Sequence, residues 1–225
     1  MLELQNISVS FNDTKVLNNL SCIIKNGARI VLVGANGSGK TTLFNVIQGS
    51  IMPDQGQLIL DGVDCTKQTA QQRASWISCL LQDPTRNTVP TLTVAQNLAM
   101  ALYKGKKVRL RNGVATLQEH PEVSAILKKL GLDHLLERPM GSISGGQRQL
   151  IAFIMATIIP PKILLLDEPT AALDPKASTL LLDFAQEYIK EHQITTLLIT
   201  HDQQIAATFG SETWQMKDGN LITKL

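Results

Sequence analysis

Aromatic residues are scarce in this chain, 4% of 225 positions, and cysteine occurs three times, at Cys22, Cys65 and Cys79, without a CxxC pair. The first shortage removes the stacking platforms that single-strand nucleic-acid binders need. The second excludes a disulfide framework or a zinc site and fits a reducing compartment. An excess of one charge is missing as well. The 21 basic and 19 acidic residues leave a net +2, whereas a dedicated nucleic-acid binder carries a strongly basic domain. There is no long hydrophobic run. The longest, Leu150 to Ile159, contains Thr157 and falls well short of the roughly 20 residues that cross a bilayer. The opening MLELQNISVS lacks the basic and apolar regions of a secretory signal. At 44% hydrophobic residues the chain is still too apolar to remain disordered, and it is long enough to bury roughly 70% of its unfolded surface.

Hydrophobic periodicity divides what is present. Leu2, Leu4, Ile7 and Val9 mark a half-buried strand, and Val16 to Ile24 marks a second that ends at Asn26-Gly27. Arg29 to Val33 is a short β-branched run, followed by a glycine-rich loop and then helical spacing over Thr41 to Gln48. Leu58 to Leu60 and Trp76 to Leu81 read as strands. From about 83 to 155 the pattern becomes helical, over Thr93 to Tyr103, Val123 to Leu130 and the apolar segment after Gly146. Strands return at Ile163 to Leu166 and Ile194 to Ile199, separated by a helix opened by Asp174 as cap and Pro175 in the first turn. A last pair, Thr213 to Met216 and Leu221 to Leu225, is joined by Asp218-Gly219. Alternating strands and helices predict an α/β core around a parallel sheet, with the helical middle inserted into it. The basic stretch 104–113 reads as a solvated loop or, alternatively, as a surface for an anionic partner, lipid headgroups included.

Gly34-Ala35-Asn36-Gly37-Ser38-Gly39-Lys40-Thr41 fits G-x-x-x-x-G-K-[ST] directly after a strand and before a helix. Glycines let the backbone curl so that successive N–H groups face phosphate oxygens, and the following helix adds the positive end of its dipole. Lys40 then reaches the β- and γ-phosphates, and Thr41 offers a hydroxyl to Mg²⁺. The run Ile163-Leu164-Leu165-Leu166 ends in Asp167 and Glu168. A strand buried on both faces delivers Asp167 to the phosphate-loop end of the sheet as a Mg²⁺ ligand, with Glu168 placed to polarise an attacking water.

Ser144-Gly145-Gly146-Gln147-Arg148 is a capping box, Ser144-x-x-Gln147, with two poor helix formers inside it. Here the sequence resembles the ATP-binding cassette family, whose signature is LSGGQ, with Ile143 in place of the leucine. The resemblance spans essentially the whole chain. It implies a P-loop NTPase core, with a parallel sheet bearing helices on both faces and an N-terminal antiparallel β-subdomain. An inserted α-helical subdomain completes the expectation. Residues 1–225 would be one ATPase domain, the core at about 1–82 and 156–225 and the helical part at about 83–155.

The resemblance also assigns roles. Gln82 corresponds to the Q-loop glutamine that touches the metal, Asp167 to the Walker B aspartate, Glu168 to the catalytic glutamate and His201 to the switch histidine on the γ-phosphate. Ala172-Leu173-Asp174 corresponds to the D-loop, with alanine where serine is common. Phe11 stands where the family places an aromatic on the adenine. Val16, Asn36, Gly37, Ser38, Gly39, Lys40, Thr41 and Thr42 would complete the nucleotide-binding set. Ser144, Gly145, Gly146, Gln147 and Asp174 would serve the nucleotide of a second cassette bound head to tail, so that a homodimer holds two ATP sites.

By the same resemblance the chain powers a bacterial transporter from the cytoplasmic face of the inner membrane. Its partners would be separate integral-membrane permease subunits and an extracytoplasmic solute-binding protein, with no nucleic acid and no C-terminal regulatory domain. QDPTRNTVPTLTVAQNLAMA, the KGKKVRLRNG loop and MATIIPPKILLLDEPTAALDPK resemble the branch that serves uptake of branched-chain or aromatic amino acids. The alternatives are an exporter and, from another class, a non-transport cassette acting on ribosomes or DNA. The latter class favours paired cassettes, coiled coils or zinc sites, and none of these is apparent in the sequence.

Overall fold

The structure, a computed structural model, describes residues 1–104, 117–171 and 173–224. Positions 105–113 of the basic loop and Ala172 lie outside the described residues. The chain forms two compact units, Met1–Cys79 with Pro161–Glu168 and Gln186–Leu225, and Leu80–Pro160 with Pro169–Ala185.

The first unit holds a four-stranded sheet of β1 (Leu2–Phe11), β2 (Thr14–Ile24), β4 (Gln55–Leu60) and β5 (Val63–Asp64), ordered β2-β1-β4-β5 and antiparallel throughout. A six-stranded sheet comprises β3 (Arg29–Val33), β6 (Ile77–Leu80), β7 (Ile163–Asp167), β8 (Thr195–Ile199), β9 (Glu212–Lys217) and β10 (Asn220–Lys224). Its order is β10-β9-β3-β8-β7-β6. The central neighbours β9-β3, β3-β8 and β8-β7 are parallel, while the terminal hairpin β9-β10 is antiparallel.

Strand composition follows position in the sheet. All five residues of β8 and the first four of β7 are buried, as expected for parallel strands covered on both faces. In β1 the core side chains Leu2 and Leu4 alternate with less buried Glu3 and Gln5, the half-buried pattern that the sequence predicts. The helix α1 (Lys40–Gln48) contributes Leu43, Phe44, Val46 and Ile47 to a core shared with Leu32, Leu165, Leu197 and Trp214. A short helix, α2 (Ala70–Arg73), opens on a Thr69–Gln72 capping box and delivers Arg73 into the interior. The helix α7 (Gln203–Phe209) starts at Asp202, whose carboxylate accepts from the Gln204 and Ile205 N–H groups.

The second unit is helical. It contains α3 (Val94–Leu102), α4 (Pro121–Lys129), α5 (Gly145–Thr157) and the first part of α6 (Pro175–Glu191). Thr93 and Gln96 cap α3 as Ser144 and Gln147 cap α5, so both starts obey the same local rule. Leu98, Leu150, Ile151 and Ile154 are buried, and Phe153 meets Phe184 edge-on with centroids 5.7 Å apart. The strand expected over Trp76 to Leu81 is confined to Ile77–Leu80, because the Leu81 N–H turns to the Asn87 side chain at 3.0 Å instead of a neighbouring strand.

Candidate functional site: a phosphate cavity at the strand ends

Where β3 meets α1 the backbone must bend sharply around empty space. Gly34 has φ +155°, and a Cβ there would lie 2.4 Å from the Met216 carbonyl oxygen. Gly39 has φ +102°, and its Cβ would fall 2.8 Å from the Val16 carbonyl oxygen. Side chains are therefore excluded at both ends of the loop by contact as well as by conformation. Gly39 is also the cap of α1 and offers no side-chain acceptor, leaving first-turn N–H groups for an anion.

The loop encloses a cavity of about 180 Å³ lined by Val16, Asn36, Gly37, Gly39, Lys40, Thr41, Thr42, Asp167, Glu168, Ile199 and His201. Lys40 is 7% exposed, and its Nζ donates to the Gly34 and Ala35 carbonyls at 2.8 and 2.9 Å. Burial pushes its pKa below the usual lysine value, while the charges of Glu168 and Asp167 pull it back up. That balance favours a further negative group beside the ammonium. The volume is below the roughly 300 Å³ of a site that encloses a whole organic ligand; it has room for a phosphate chain.

Asp167 ends β7 and Glu168 follows it with φ +45°. Among the described residues the other non-glycine positions with positive φ are Asn or Asp, apart from Gln193. Asn and Asp tolerate this region and Glu does not, so strain of about 1–3 kcal/mol is held at Glu168. The Glu168 N–H donates to the Ile199 carbonyl at 3.0 Å, anchoring the bend to β8. Two residues past β8, His201 places Nε2 at 3.0 Å from Glu168 Oε1.

The structure thus gathers ten expected residues around one cavity: Val16, Asn36, Gly37, Gly39, Lys40, Thr41, Thr42, Asp167, Glu168 and His201. Ser38 is not among the lining residues; its hydroxyl is buried without a hydrogen-bond partner among the described residues. Phe11 closes β1 at 45% exposure and does not line the cavity either.

The remaining expected residues belong to the second unit. The Ser144 hydroxyl accepts from the Gln147 N–H at 3.2 Å, and Gln147 Oε1 accepts from the Ser144 N–H at 3.1 Å. Of the two glycines, Gly146 has a packing reason, since a Cβ would lie 2.8 Å from the Ala177 Cβ; Gly145 faces open space. Arg148 donates to the Met140 and Gly141 carbonyls, both at 3.2 Å, bracing the approach to the cap. Asp174 accepts from the Ala177 N–H at 3.0 Å, which is the capping role its sequence position predicts. Gln82 is exposed, next to half-buried Leu81. Sequence reasoning passed over Gln149 and Arg73; both are buried polar residues whose partners are backbone carbonyls.

A glycine-bound phosphate loop, a buried lysine and two consecutive carboxylates at the end of β7 define a P-loop nucleotide-binding protein. The ABC transporter family profile matches residues 17–171. A tyrosine transport ATP-binding protein of Clostridioides difficile (strain R20291) is 36% identical, with 99% of this chain and 90% of that protein covered. The ABC transporter ATP-binding protein YtrE of Bacillus subtilis (strain 168) is 32% identical, covering 98% of this chain and 96% of the relative. A solved ATP-binding cassette dimer in a post-hydrolysis state, bound to ADP and Pi, superposes with TM-score 0.83 at 26% identity over 100% of this chain and 98% of that one. The chain belongs to the ABC transporter family and is an ATP-binding, ATP-hydrolysing subunit. No described helix is long and apolar enough to cross a membrane.

Proposed function

We propose that this chain drives import of a small solute, an amino acid in the first instance, by binding and hydrolysing ATP beneath separate permease subunits. The observation that carries the ATPase half is the convergence of Lys40, Thr41, Asp167, Glu168 and His201 on one cavity. The import half is supported by relatives named for tyrosine transport and thiamine import, and by a structural neighbour from Clostridium perfringens described as part of the transporter complex cbiONQ. The proposed working location is the cytoplasmic face of a membrane, beside a permease and, for import, a solute-binding protein.

In this reading the loop N–H groups and Lys40 hold the phosphates. The donor set fits Mg²⁺. Thr41 and Asp167 supply hard oxygens at the same cavity, and no described group of three His, Cys, Asp or Glu side chains forms a protein-only metal cage. Mg²⁺ takes one or two protein oxygens and completes its shell with phosphate and water. When bound, it would neutralise charge developing on the transferred phosphoryl group.

Glu168, held in its bend by Ile199, accepts a proton from the attacking water, and His201 orients its carboxylate through the 3.0 Å contact. Phe11 offers an exposed ring for the adenine. Gln82 serves the metal, and Ser144 to Gln147 with Asp174 meet the nucleotide of a second copy. Residues near 83–155 form the helical part of a single cassette. The cassette dimer closes on ATP and reopens after hydrolysis.

The test is to tag the chain in its native cell and recover it in mild detergent. Co-purification of a multi-spanning permease, together with loss of amino-acid uptake when Glu168→Gln replaces the wild type, is the expected result. Unchanged amino-acid uptake with lost efflux would overturn import. Recovery with ribosomes would overturn transport.

A further inference from the structure

Gln149 sits in the first turns of α5, 1% exposed, on a helix otherwise filled inward by Leu150, Ile151, Phe153 and Ile154. Its Nε2 donates to the Pro169 carbonyl at 3.0 Å and to the Leu81 carbonyl at 3.3 Å. Both partners are acceptors, so the amide orientation is fixed by chemistry. Among the described residues its Oε1 is buried with no partner, an arrangement that carries the desolvation cost of an unsatisfied polar group. A leucine would fill this position without that cost. Two backbone carbonyls far apart in sequence are joined here by one side chain. Leu81 immediately precedes Gln82, and its N–H is separately held by Asn87 at 3.0 Å. Pro169 immediately follows Glu168.

We propose that Gln149 is a positioning residue for hydrolysis. From the helix that Ser144 opens, it fixes the backbone that precedes Gln82 and the backbone that follows Glu168, so that each residue is held in place when the chemical step occurs. The inference rests on the roles given above to Gln82 and Glu168. Small displacements of reacting groups carry large penalties in rate, whereas the phosphate loop shares no hydrogen bond with Gln149 and should bind ATP unchanged.

The test compares Gln149→Met, Gln149→Leu and Gln149→Ala in the purified chain. Steady-state ATP hydrolysis and ATP binding are read alongside circular dichroism. The expected result in any folded variant is a kcat lowered by about 10- to 100-fold with KM for ATP within about twofold. A folded variant that keeps kcat within twofold overturns the proposal. So does an equal loss of binding and turnover, or failure of all three variants to fold, since either makes the residue merely structural. Glu168→Gln is assayed in parallel. If that variant turns over near wild type, the reading of Glu168 fails instead; if it is dead while the Gln149 variants are active, only the present inference fails.

Discussion

Arg73 is the most informative residue to perturb for the stability of the nucleotide-binding unit. It is 0% exposed, and its guanidinium lies on four backbone carbonyls: Nη1 donates to Val46 and Ile47 at 2.6 and 2.7 Å, Nη2 to Cys65 and Thr66 at 2.6 and 3.0 Å. Val46 and Ile47 are in the last turn of α1, whose first turn begins the phosphate site, so a cation closes the negative end of that helix. Val46 O also accepts from the Gly49 N–H and Cys65 O from the Gln68 N–H. Ile47 O and Thr66 O have no second donor among the described residues. Arg73→Met keeps most of the apolar stem and strands those two carbonyls. At about 1–3 kcal/mol for each buried orphan, partly offset by relief of guanidinium desolvation, the expected loss is about 3 kcal/mol. For a chain of this length that lowers Tm by about 6–12 °C. Arg73→Lys should recover part of the loss, because an ammonium reaches fewer carbonyls than the planar fork. Thermal unfolding by circular dichroism, with and without ATP, is the assay. The stabilisation added by saturating ATP should persist in both variants, since the loop end of α1 is untouched. A Met variant melting within about 1 °C of wild type would refute the idea that this cation secures the helix.

Other outcomes follow from the same geometry. Glu168→Gln should retain ATP binding and lose about 10²- to 10⁴-fold in kcat, read by steady-state hydrolysis; turnover near wild type removes Glu168 from the chemistry. Gly34→Ala should abolish ATP binding, because its Cβ would lie 2.4 Å from the Met216 carbonyl oxygen, whereas Gly37→Ala, with nothing within 4 Å, should cost only the strain of its φ of +78°, about 1 kcal/mol. Ser144→Arg should leave ATP binding by the isolated chain intact and prevent ATP-dependent dimerisation, measured by sedimentation; collapse of monomer affinity would contradict a role across the dimer. Asp61, hydrogen-bonded by Lys162 and the amino terminus, has its pKa drawn down from 3.8 to about 2. Its folded pKa is the lower one, so its contribution is present above about pH 4 and is lost as the pH falls towards 2. Asp61→Asn should remove that part of the acid sensitivity in a pH series of melts, a small part given how exposed the pair is.

Local chemistry explains which features could be read in advance. The phosphate loop, the Asp167-Glu168 strand end and the Ser144–Gln147 box are short-range patterns whose residues impose their own backbone geometry. They appear in the structure with the caps, bends and burial expected. The strand order β10-β9-β3-β8-β7-β6 was not legible. Every inner strand reads as a similar apolar run, and nothing within β3 names β8 and β9 as its neighbours. The packing reason for Gly146 was hidden likewise, because Ala177 lies beyond the next strand in sequence and only the fold brings the two within 2.8 Å of a Cβ. Gln149 and Arg73 define the harder limit. Each looks, in a one-dimensional pattern, like a polar residue on a solvated face, yet they are 1% and 0% exposed. Their partners are main-chain carbonyls, which carry no residue identity and leave no mark in the sequence. The Thr69–Gln72 box caps the short helix that ends at Arg73, but the carbonyls of Val46 and Ile47 become a destination only after α1 has formed. Polar groups that bind backbone are thus invisible to motif reading although the fold depends on them, and measured stability and turnover at these two positions are the means of finding what they hold in place.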